Sequence, residues 1–370
     1  MSVAALRLGI VGLGSMGAQH AAALLAGRIP RCRLTAVCDR DPARLAAYAG
    51  LPAFADAAAL AASGTCDAVL VATPHPDHPA SGAAVLAAGL HLLMEKPLAV
   101  QVADARRLID AYAQRPRREQ VFAAMFNQRT DPHYRALKGM LASGELGPVR
   151  RIAWTITDWF RSEAYYAAGG WRGTWRGEGG GVLLNQCPHQ LDLWQWLFGM
   201  PARVSAVVAL GGRHAIEVED DVTALLEYAD GTTGVFATST GEAPGSNRLE
   251  VAADRGRVVI EGDCLRIIRN AIPASEFSRT TRERFAKPPT TEEAQAFADH
   301  GGQHAEVLAD FAAACLDGRP PLAPGVEGIR SLELGNAMLL AGLDRAAVDL
   351  PLDAERYARR LAGLIAASRR

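Results

Sequence analysis

The sequence predicts two folded parts. The first is an N-terminal α/β domain on a doubly wound parallel sheet, and the second is an α+β domain on a large, open-faced, mostly antiparallel sheet. Two observations carry this reading. Over residues 1–126, short apolar runs alternate with helix-length stretches, the pattern of parallel strands joined by crossover helices. From Arg203 onward, short alternating segments (Val204–Leu210, Val222–Tyr228, Gly234–Thr240, Leu249–Ala252, Val258–Ile260, Leu265–Arg269) are separated by Gly/Asp turns, with Asp230-Gly231 as a hairpin signal. A chain of 370 residues is long enough for both. The expected boundaries are 1–126, 127–352, and a helical tail at 353–370.

Composition narrows the function. Lys+Arg 39 against Asp+Glu 40 leaves a formal net charge of −1, with no electrostatic footprint for nucleic acid or an anionic membrane. No apolar run approaches the ~18–20 residues of a spanning helix, and the N-terminus runs almost directly into a strand without a signal-peptide pattern. Six scattered cysteines, with no CxxC and no clustered histidine, argue against a zinc site or a disulfide framework. The expectation is a cytoplasmic protein without a metal.

The first strand, Arg7–Val11, runs into Gly12-Leu13-Gly14-Ser15-Met16-Gly17 and then an Ala-rich helical stretch. G-x-G-x-x-G between strand and helix is the dinucleotide fingerprint of a Rossmann domain. Gly12 allows the tight turn, and Gly14, with Ser15 and Met16, presents backbone N–H groups to a pyrophosphate. Gly17 lets helix and strand pack closely. A second strand ends at Asp39, 22 residues after Gly17, where an acid accepts the adenosine ribose hydroxyls. Asp39 repels a 2′-phosphate, so NAD is expected over NADP, although the adjacent Arg40 has the charge to meet that phosphate.

Two later strands end in Thr73-Pro74-His75-Pro76-Asp77-His78 and in Glu95-Lys96-Pro97. Both turns belong to the sheet edge where a cofactor lies. His78 reads equally as a site residue or as a helix-start histidine with satisfied hydrogen bonds. Lys96, at a strand end with Pro97 behind it, is the first candidate for chemistry.

All six tryptophans fall between residues 154 and 196. Trp159, Trp171 and Trp175 lie in or beside a Gly/Trp/Arg-rich loop, as faces for a pyranose ring. Trp154, Trp194 and Trp196 sit in regular elements and read as core. Arg161, Arg172 and Arg176 are candidates to grip a carboxylate or phosphate, with Arg176 alternatively reaching the cofactor. After Gly179-Gly180-Gly181, Asn185 and His189 are four apart and Asp192 follows one turn beyond. On one helix Asn185 and His189 share a face. The alternative makes Asn185 an N-cap, with Pro188 in the first turn and His189 a core residue. Residues Asn270–Gly302 are polar and weakly periodic and read as an excursion of uncertain order. Helices near His304–Leu316 and Gly328–Leu343 are expected to complete the second domain.

The N-terminal fingerprint, Thr73-Pro74-x-x-x-His78 and Glu95-Lys96-Pro97 together resemble the Gfo/Idh/MocA family of NAD(P)-dependent oxidoreductases. The resemblance continues through Asn127-Gln128-Arg129, Gly144-Glu145-Leu146-Gly147, Trp171–Gly199 and Asp349-Leu350-Pro351-Leu352. It implies a second domain that roofs the nicotinamide, a sugar, inositol or polyol substrate, and a lysine (Lys96) that hydrogen-bonds the reacting oxygen. A histidine (His189) exchanges its proton. It also brings Glu95 and Asn127 in as cofactor contacts, joined by Trp175 and Arg176 of the loop, and Arg129 and Asn185 as substrate contacts, joined by Trp159 and Arg172 of the loop. The chain departs from the family at Asn185, where better-known members carry Asp; an amide orients groups but relays no proton. A homodimer or homotetramer through the open sheet is expected. Two other function classes share these residues: a redox-assisted glycosidase with tightly held NAD, and a non-catalytic dinucleotide-sensing regulator.

Overall fold

The computed structural model describes residues 4–168 and 170–368. Residues 1–3 of the expected first domain, Gly169 of the tryptophan-rich loop and 369–370 of the tail lie outside the described residues. The chain forms two compact units, Met1–Thr130 with Gly302–Glu333, and Asp131–Gly301 with Leu334–Arg370.

The first unit opens with β1 (Leu6–Val11), α1 (Ser15–Leu25), β2 (Cys32–Cys38), α2 (Pro42–Ala46), β3 (Ala53–Phe54) and α3 (Ala57–Ala62). It continues with β4 (Ala68–Val71), α4 (His78–Ala87), β5 (His91–Met94), α5 (Val102–Ala113) and β6 (Phe122–Ala124). The strands form one six-stranded sheet in the order β3-β2-β1-β4-β5-β6, and every pair is parallel. Strand order reverses outward from β1 and β4, so the carboxyl ends of these two strands flank the switch-point crevice. β4 and β5 are buried throughout, which is why they read as unbroken apolar runs.

The second unit begins with α6 (Pro132–Ser143), β7 (Val149–Ile156), α7 (Glu163–Ala167), α8 (Val182–Asn185) and α9 (Pro188–Phe198). Then follow β8 (Arg203–Leu210), β9 (Glu219–Glu227), β10 (Thr233–Ser239), β11 (Asn247–Ala253), β12 (Gly256–Glu261), β13 (Cys264–Asn270), α10 (Ala274–Thr280) and β14 (Thr290–Ala296). The chain ends with α11 (Gln303–Asp317), α12 (Gly328–Asp344), β15 (Val348–Asp349) and α13 (Ala354–Ala367). Nine strands pair in the order β14-β13-β12-β11-β7-β10-β9-β8-β15. All of these pairs are antiparallel except β7–β10.

Trp154 of β7 and Trp194 of α9 are fully buried, and their rings stack with centroids 6.5 Å apart. Gly234 of β10 makes room for them: a Cβ there would stand 2.5 Å from Trp194 Cζ2. On the opposite face Val207, Leu225 and Val235 stay exposed, as alternation along a strand requires.

Three expectations change. The segment Asn270–Gly302 is ordered into α10 and the exposed edge strand β14, whose polar residues are what an unprotected sheet edge tolerates. Helix α11 belongs to the first unit, not to the second domain. Its Val307, Leu308, Phe311 and Ala312 join the core formed by Leu6, Leu8 and Ile10 of β1 and Leu34 and Val37 of β2. Periodicity marks an apolar helix face, but not which sheet it covers. The stretch from Val182 is two helices, broken at Gln186-Cys187, with Pro188 as the first residue of α9. Asn185 and His189 therefore do not share a face of one helix.

Candidate functional site

In the first unit, the candidate site is built on the carboxyl ends of β1, β2, β4 and β5. Gly12 has φ +92°, and a Cβ on it would lie 2.5 Å from the Ala72 carbonyl oxygen. A Cβ on Gly17 would lie 1.8 Å from the Gly12 carbonyl oxygen, so both glycines are required by the fold itself. Gly14, the residue before α1, differs: nothing stands within 4 Å of its Cβ position. That open space, at a helix N-terminus begun by the exposed Ser15 and half-buried Met16, fits a dinucleotide pyrophosphate.

Asp39 follows β2 and is buried. Its Oδ2 accepts from Leu13 N at 2.7 Å and its Oδ1 from Asp41 N at 2.9 Å. Burial opposes its charge, but these backbone donors and Arg44 outweigh it and hold the carboxyl below the usual aspartate range. Asp39 thus braces the glycine loop, at the strand end where the sequence leads one to expect a ribose contact. Arg44, not singled out from the sequence, is its cationic neighbour at 3.3 Å. Arg40 is exposed and ion-paired with Asp77.

At the end of β4, the Thr73 Oγ1 is buried without a hydrogen-bond partner, an open valence for a cofactor group beside Gly12. Pro74 is exposed. His78 corrects the cofactor-contact expectation. It is 1% exposed, with Nδ1 2.7 Å from the Pro97 carbonyl and Nε2 2.8 Å from the Thr73 carbonyl. Both ring nitrogens are committed to holding two turns together.

Glu95 is likewise turned inward. Its Oε1 lies 2.7 Å from His20 Nε2 on α1, and its Oε2 accepts from Lys96 N at 3.1 Å. Burial opposes its charge, yet the His20 hydrogen bond and the charges of His20, Lys96 and His304 draw its carboxyl down to about 2. Lys96 itself is half-buried at the end of β5, and its peptide to Pro97 is cis.

Asn127 is buried in the 3-10 turn Asn127–Thr130. Its amide nitrogen donates to Gln303, and its Oδ1 is buried without a hydrogen-bond partner, so it keeps an acceptor for a cofactor donor. Arg129 is corrected as a substrate contact. It is 1% exposed and ion-paired with Glu327 at 2.8 Å, which leaves no surface for a substrate.

In the second unit, Asn185 ends α8 and His189 lies in the first turn of α9, buried. Asp192 is also buried and accepts from Gln195 Nε2 at 3.0 Å. The residue missed from the sequence is Glu178. It is 2% exposed, accepts from Gly173 N at 2.6 Å, and takes a hydrogen bond from the Asn185 amide nitrogen. A carboxylate therefore stands against Asn185, contributed seven residues upstream. The available signal was that Glu178 and Glu163 are the only acids between residues 161 and 181.

Glu219 completes this corner. Its Oε1 accepts from Gly181 N at 2.9 Å and Leu183 N at 3.2 Å, holding the start of α8. Burial, with the negative charge of Glu178 adding to it, pushes its carboxyl up to about 7. Trp175 is corrected as a stacking or cofactor face: it is 4% exposed, with its backbone N donating to Glu217 at 3.2 Å. Arg176 is exposed, Trp159 and Arg172 are half-buried, and Trp171 is 38% exposed. Elsewhere, Asp131, His133 and His300 bring ligand atoms within 4.8 Å of one another. The sequence hid this grouping because His133 and His300 lie 167 positions apart. Among the described residues, no helix is long and apolar enough to cross a membrane.

A parallel sheet with a glycine-lined pyrophosphate cradle and a lysine at a neighbouring strand end defines an NAD-binding oxidoreductase. Comparison with known proteins agrees. The family description "Oxidoreductase family, NAD-binding Rossmann fold" matches residues 6–123, and "GFO/IDH/MocA C-terminal domain" matches residues 134–259. The trans-1,2-dihydrobenzene-1,2-diol dehydrogenase of Bos taurus is 30% identical over 268 residues, covering 70% of this chain and 75% of that protein. The inositol 2-dehydrogenase of Rhizobium meliloti (strain 1021) is 25% identical over 356 residues, covering 93% and 99%. The WlbA dehydrogenase from Bordetella pertussis, solved with NADH and UDP-GlcNAcA, superposes with a TM-score of 0.77 at 25% identity, covering 94% and 100%. The chain belongs to the Gfo/Idh/MocA family, and the protein is an NAD-dependent dehydrogenase of the sugar and polyol class.

Two measurements test the site. Gly14→Ala should leave the melting temperature within about 2 °C, because the new methyl meets nothing in the protein. It should raise the NAD dissociation constant at least ~10-fold, because the methyl fills the cradle. Glu219 binds its proton more tightly folded than unfolded. Its contribution to stability is therefore complete below about 4.5 and lost as pH rises toward about 7. Glu219→Gln should flatten the decline in urea-unfolding stability across that window; an unchanged slope would rule the assignment out.

Proposed function

We propose that this dehydrogenase oxidises a secondary hydroxyl of a sugar, inositol or related polyol, with Lys96 and His189 as its catalytic residues. Bound NAD supplies the hydride acceptor. Lys96 stabilises the negative charge that develops on the substrate oxygen, and His189 takes the hydroxyl proton. In the reverse direction the same pair protonates the oxygen of a ketone as the hydride returns to its carbon. The observation that carries the reading is how Lys96 is held. Its backbone N is bonded to the buried Glu95, Glu95 to His20, and the next carbonyl, that of Pro97, to His78. A surface lysine needs no such support.

Asn185 orients a substrate hydroxyl in this reading, and Glu178 supplies the nearby negative charge. The amide donates to Glu178, so a carboxylate one hydrogen bond away does the electrostatic work of the family's aspartate without meeting the substrate directly. Asp39, Thr73 and Asn127 join the glycine loop in holding NAD. The inositol and dihydrodiol dehydrogenases among the relatives support a polyhydroxylated substrate.

The exposed face of the second unit's sheet is proposed to pair with a second copy. Val235 of β10 lies directly opposite Leu225 of β9, and Val207 of β8 is 75% exposed nearby, giving an apolar stripe over three adjacent strands.

Lys96→Met should lower kcat by at least ~100-fold while NAD affinity stays nearly intact, in a spectrophotometric assay of NAD reduction across a polyol panel. Wild-type turnover would overturn the assignment. Glu178→Gln should lower kcat at least ~10-fold and alter the pH profile, because the charge behind Asn185 is gone. Assembly is checked separately: Val207→Glu with Leu225→Glu should bring the light-scattering mass down to the 39.2 kDa protomer.

A further inference from the structure

The arginines of the tryptophan-rich loop have an arrangement that a neutral polyol does not use. Arg161 Cζ lies 5.5 Å from the Trp159 ring centroid and 5.0 Å from that of Tyr165. Arg172 Cζ lies 4.5 Å from the Tyr165 centroid and 4.4 Å from that of Trp171. The result is one alternating series, Trp159–Arg161–Tyr165–Arg172–Trp171, with two guanidiniums and three rings.

Aromatic faces hold a guanidinium flat and strip water from its planes, leaving its N–H edge as the reactive surface. Here those edges are largely unused. Arg161 donates from Nη1 to the Phe160 carbonyl at 2.9 Å, while its Nε and the Trp159 Nε1 are buried with no hydrogen-bond partner. Arg172 donates from Nη1 to the Tyr165 hydroxyl at 2.7 Å. Neither guanidinium is paired with a carboxylate among the described residues. The acids of the segment are engaged elsewhere: Glu163 accepts from Ala215 N at 3.0 Å, and Glu178 holds Gly173 and Asn185. Two positive charges, with buried donors left unsatisfied beside them, lack an anion.

Tyr165 connects this series to the candidate substrate residues. Besides Arg172, its oxygen lies 3.4 Å from Asn185 Nδ2 and 3.3 Å from Gln186 Nε2. Three N–H groups surround one phenol oxygen, so the hydroxyl keeps its own hydrogen for an acceptor that the described residues do not supply. The arginines are thus one hydrogen-bonded residue away from Asn185.

We propose that Arg161, Arg172 and Tyr165 form an anion subsite, so that the substrate is an acidic polyol carrying a carboxylate or phosphate ester. This rests on the polyol-dehydrogenase reading and narrows its substrate class. A planar guanidinium fork suits either group; the shared chemistry is a compact oxyanion with several acceptor oxygens. Two stacked forks beside Asn185 bind that oxyanion and leave the polyol hydroxyls to the catalytic residues.

The test is calorimetric binding to NADH-saturated protein of D-glucose, D-glucuronate and D-glucose 6-phosphate, followed by NAD-reduction kinetics with each. At least one anionic sugar should bind about 30-fold or more tightly than glucose, the scale of a charged hydrogen bond. Which one wins separates carboxylate from phosphate. Arg161→Gln with Arg172→Gln should abolish the preference; Arg172→Lys, which keeps the charge and loses the fork, should weaken it part way. Circular dichroism of each variant checks folding. Equal affinity for all three sugars, or a preference unchanged in the double variant, overturns the subsite. Anion preference without NAD reduction by any member would keep the subsite and count against the proposed hydroxyl oxidation at Lys96 and His189. Reduction driven by neutral polyols without anion preference would do the reverse.

Discussion

The buried carboxylate of Glu95 is the constraint on which the first unit's chemistry depends. A charge with 4% exposure is tolerated only when fully partnered, and here the partners are His20 from α1 and the backbone N of Lys96. One residue thereby ties the helix that follows the glycine loop to the strand end that carries the candidate lysine. His78 makes the second tie, between the turns after β4 and β5. Neither residue need touch substrate or cofactor for its loss to disturb both. The two motifs that resemble the family, Thr73-Pro74-x-x-x-His78 and Glu95-Lys96-Pro97, are in this chain two halves of one clamp.

The second unit concentrates charge differently. Asn185 stands where the family's aspartate was expected, yet the corner is not short of acid. Glu178 bonds the Asn185 amide, and Glu219 caps the start of α8 from β9. Two buried carboxylates close to one another raise the cost of charging both, which is part of why Glu219 is pushed toward its neutral form. The acid stands one hydrogen bond behind Asn185, and the amide is the group that meets the neighbouring tyrosine.

The return of Gly302–Glu333 to the first unit shows why domain limits are hard to read from order along a chain. Helix α11 follows the whole antiparallel sheet in sequence, but its apolar face is spent on the core beneath β1 and β2. Gln303, the first residue of that helix, also supplies the acceptor for Asn127. A residue proposed to hold the cofactor is therefore fixed by a segment 176 positions later.

Local sequence pattern is enough to read the parallel sheet, the glycine cradle, Asp39, the lysine at the end of β5 and the open antiparallel sheet. Each of these rests on local periodicity or on short spacing, which survive in a linear string. Tertiary structure decided which polar side chains face a ligand and which serve the protein. His78, Glu95, Arg129 and Trp175 all carried plausible site chemistry in the string, and all are buried on partners inside the protein. Glu178, Arg44 and Tyr165 carried no motif and stand beside the candidate residues. The physical reason is the same for both groups. Whether a polar group is free for function depends on what satisfies it. The partners of Glu95 and Arg129 lie 75 and 198 residues away, and those of Glu178 and Arg44, only five to seven residues away, are set by the fold of a loop or turn that no spacing rule encodes.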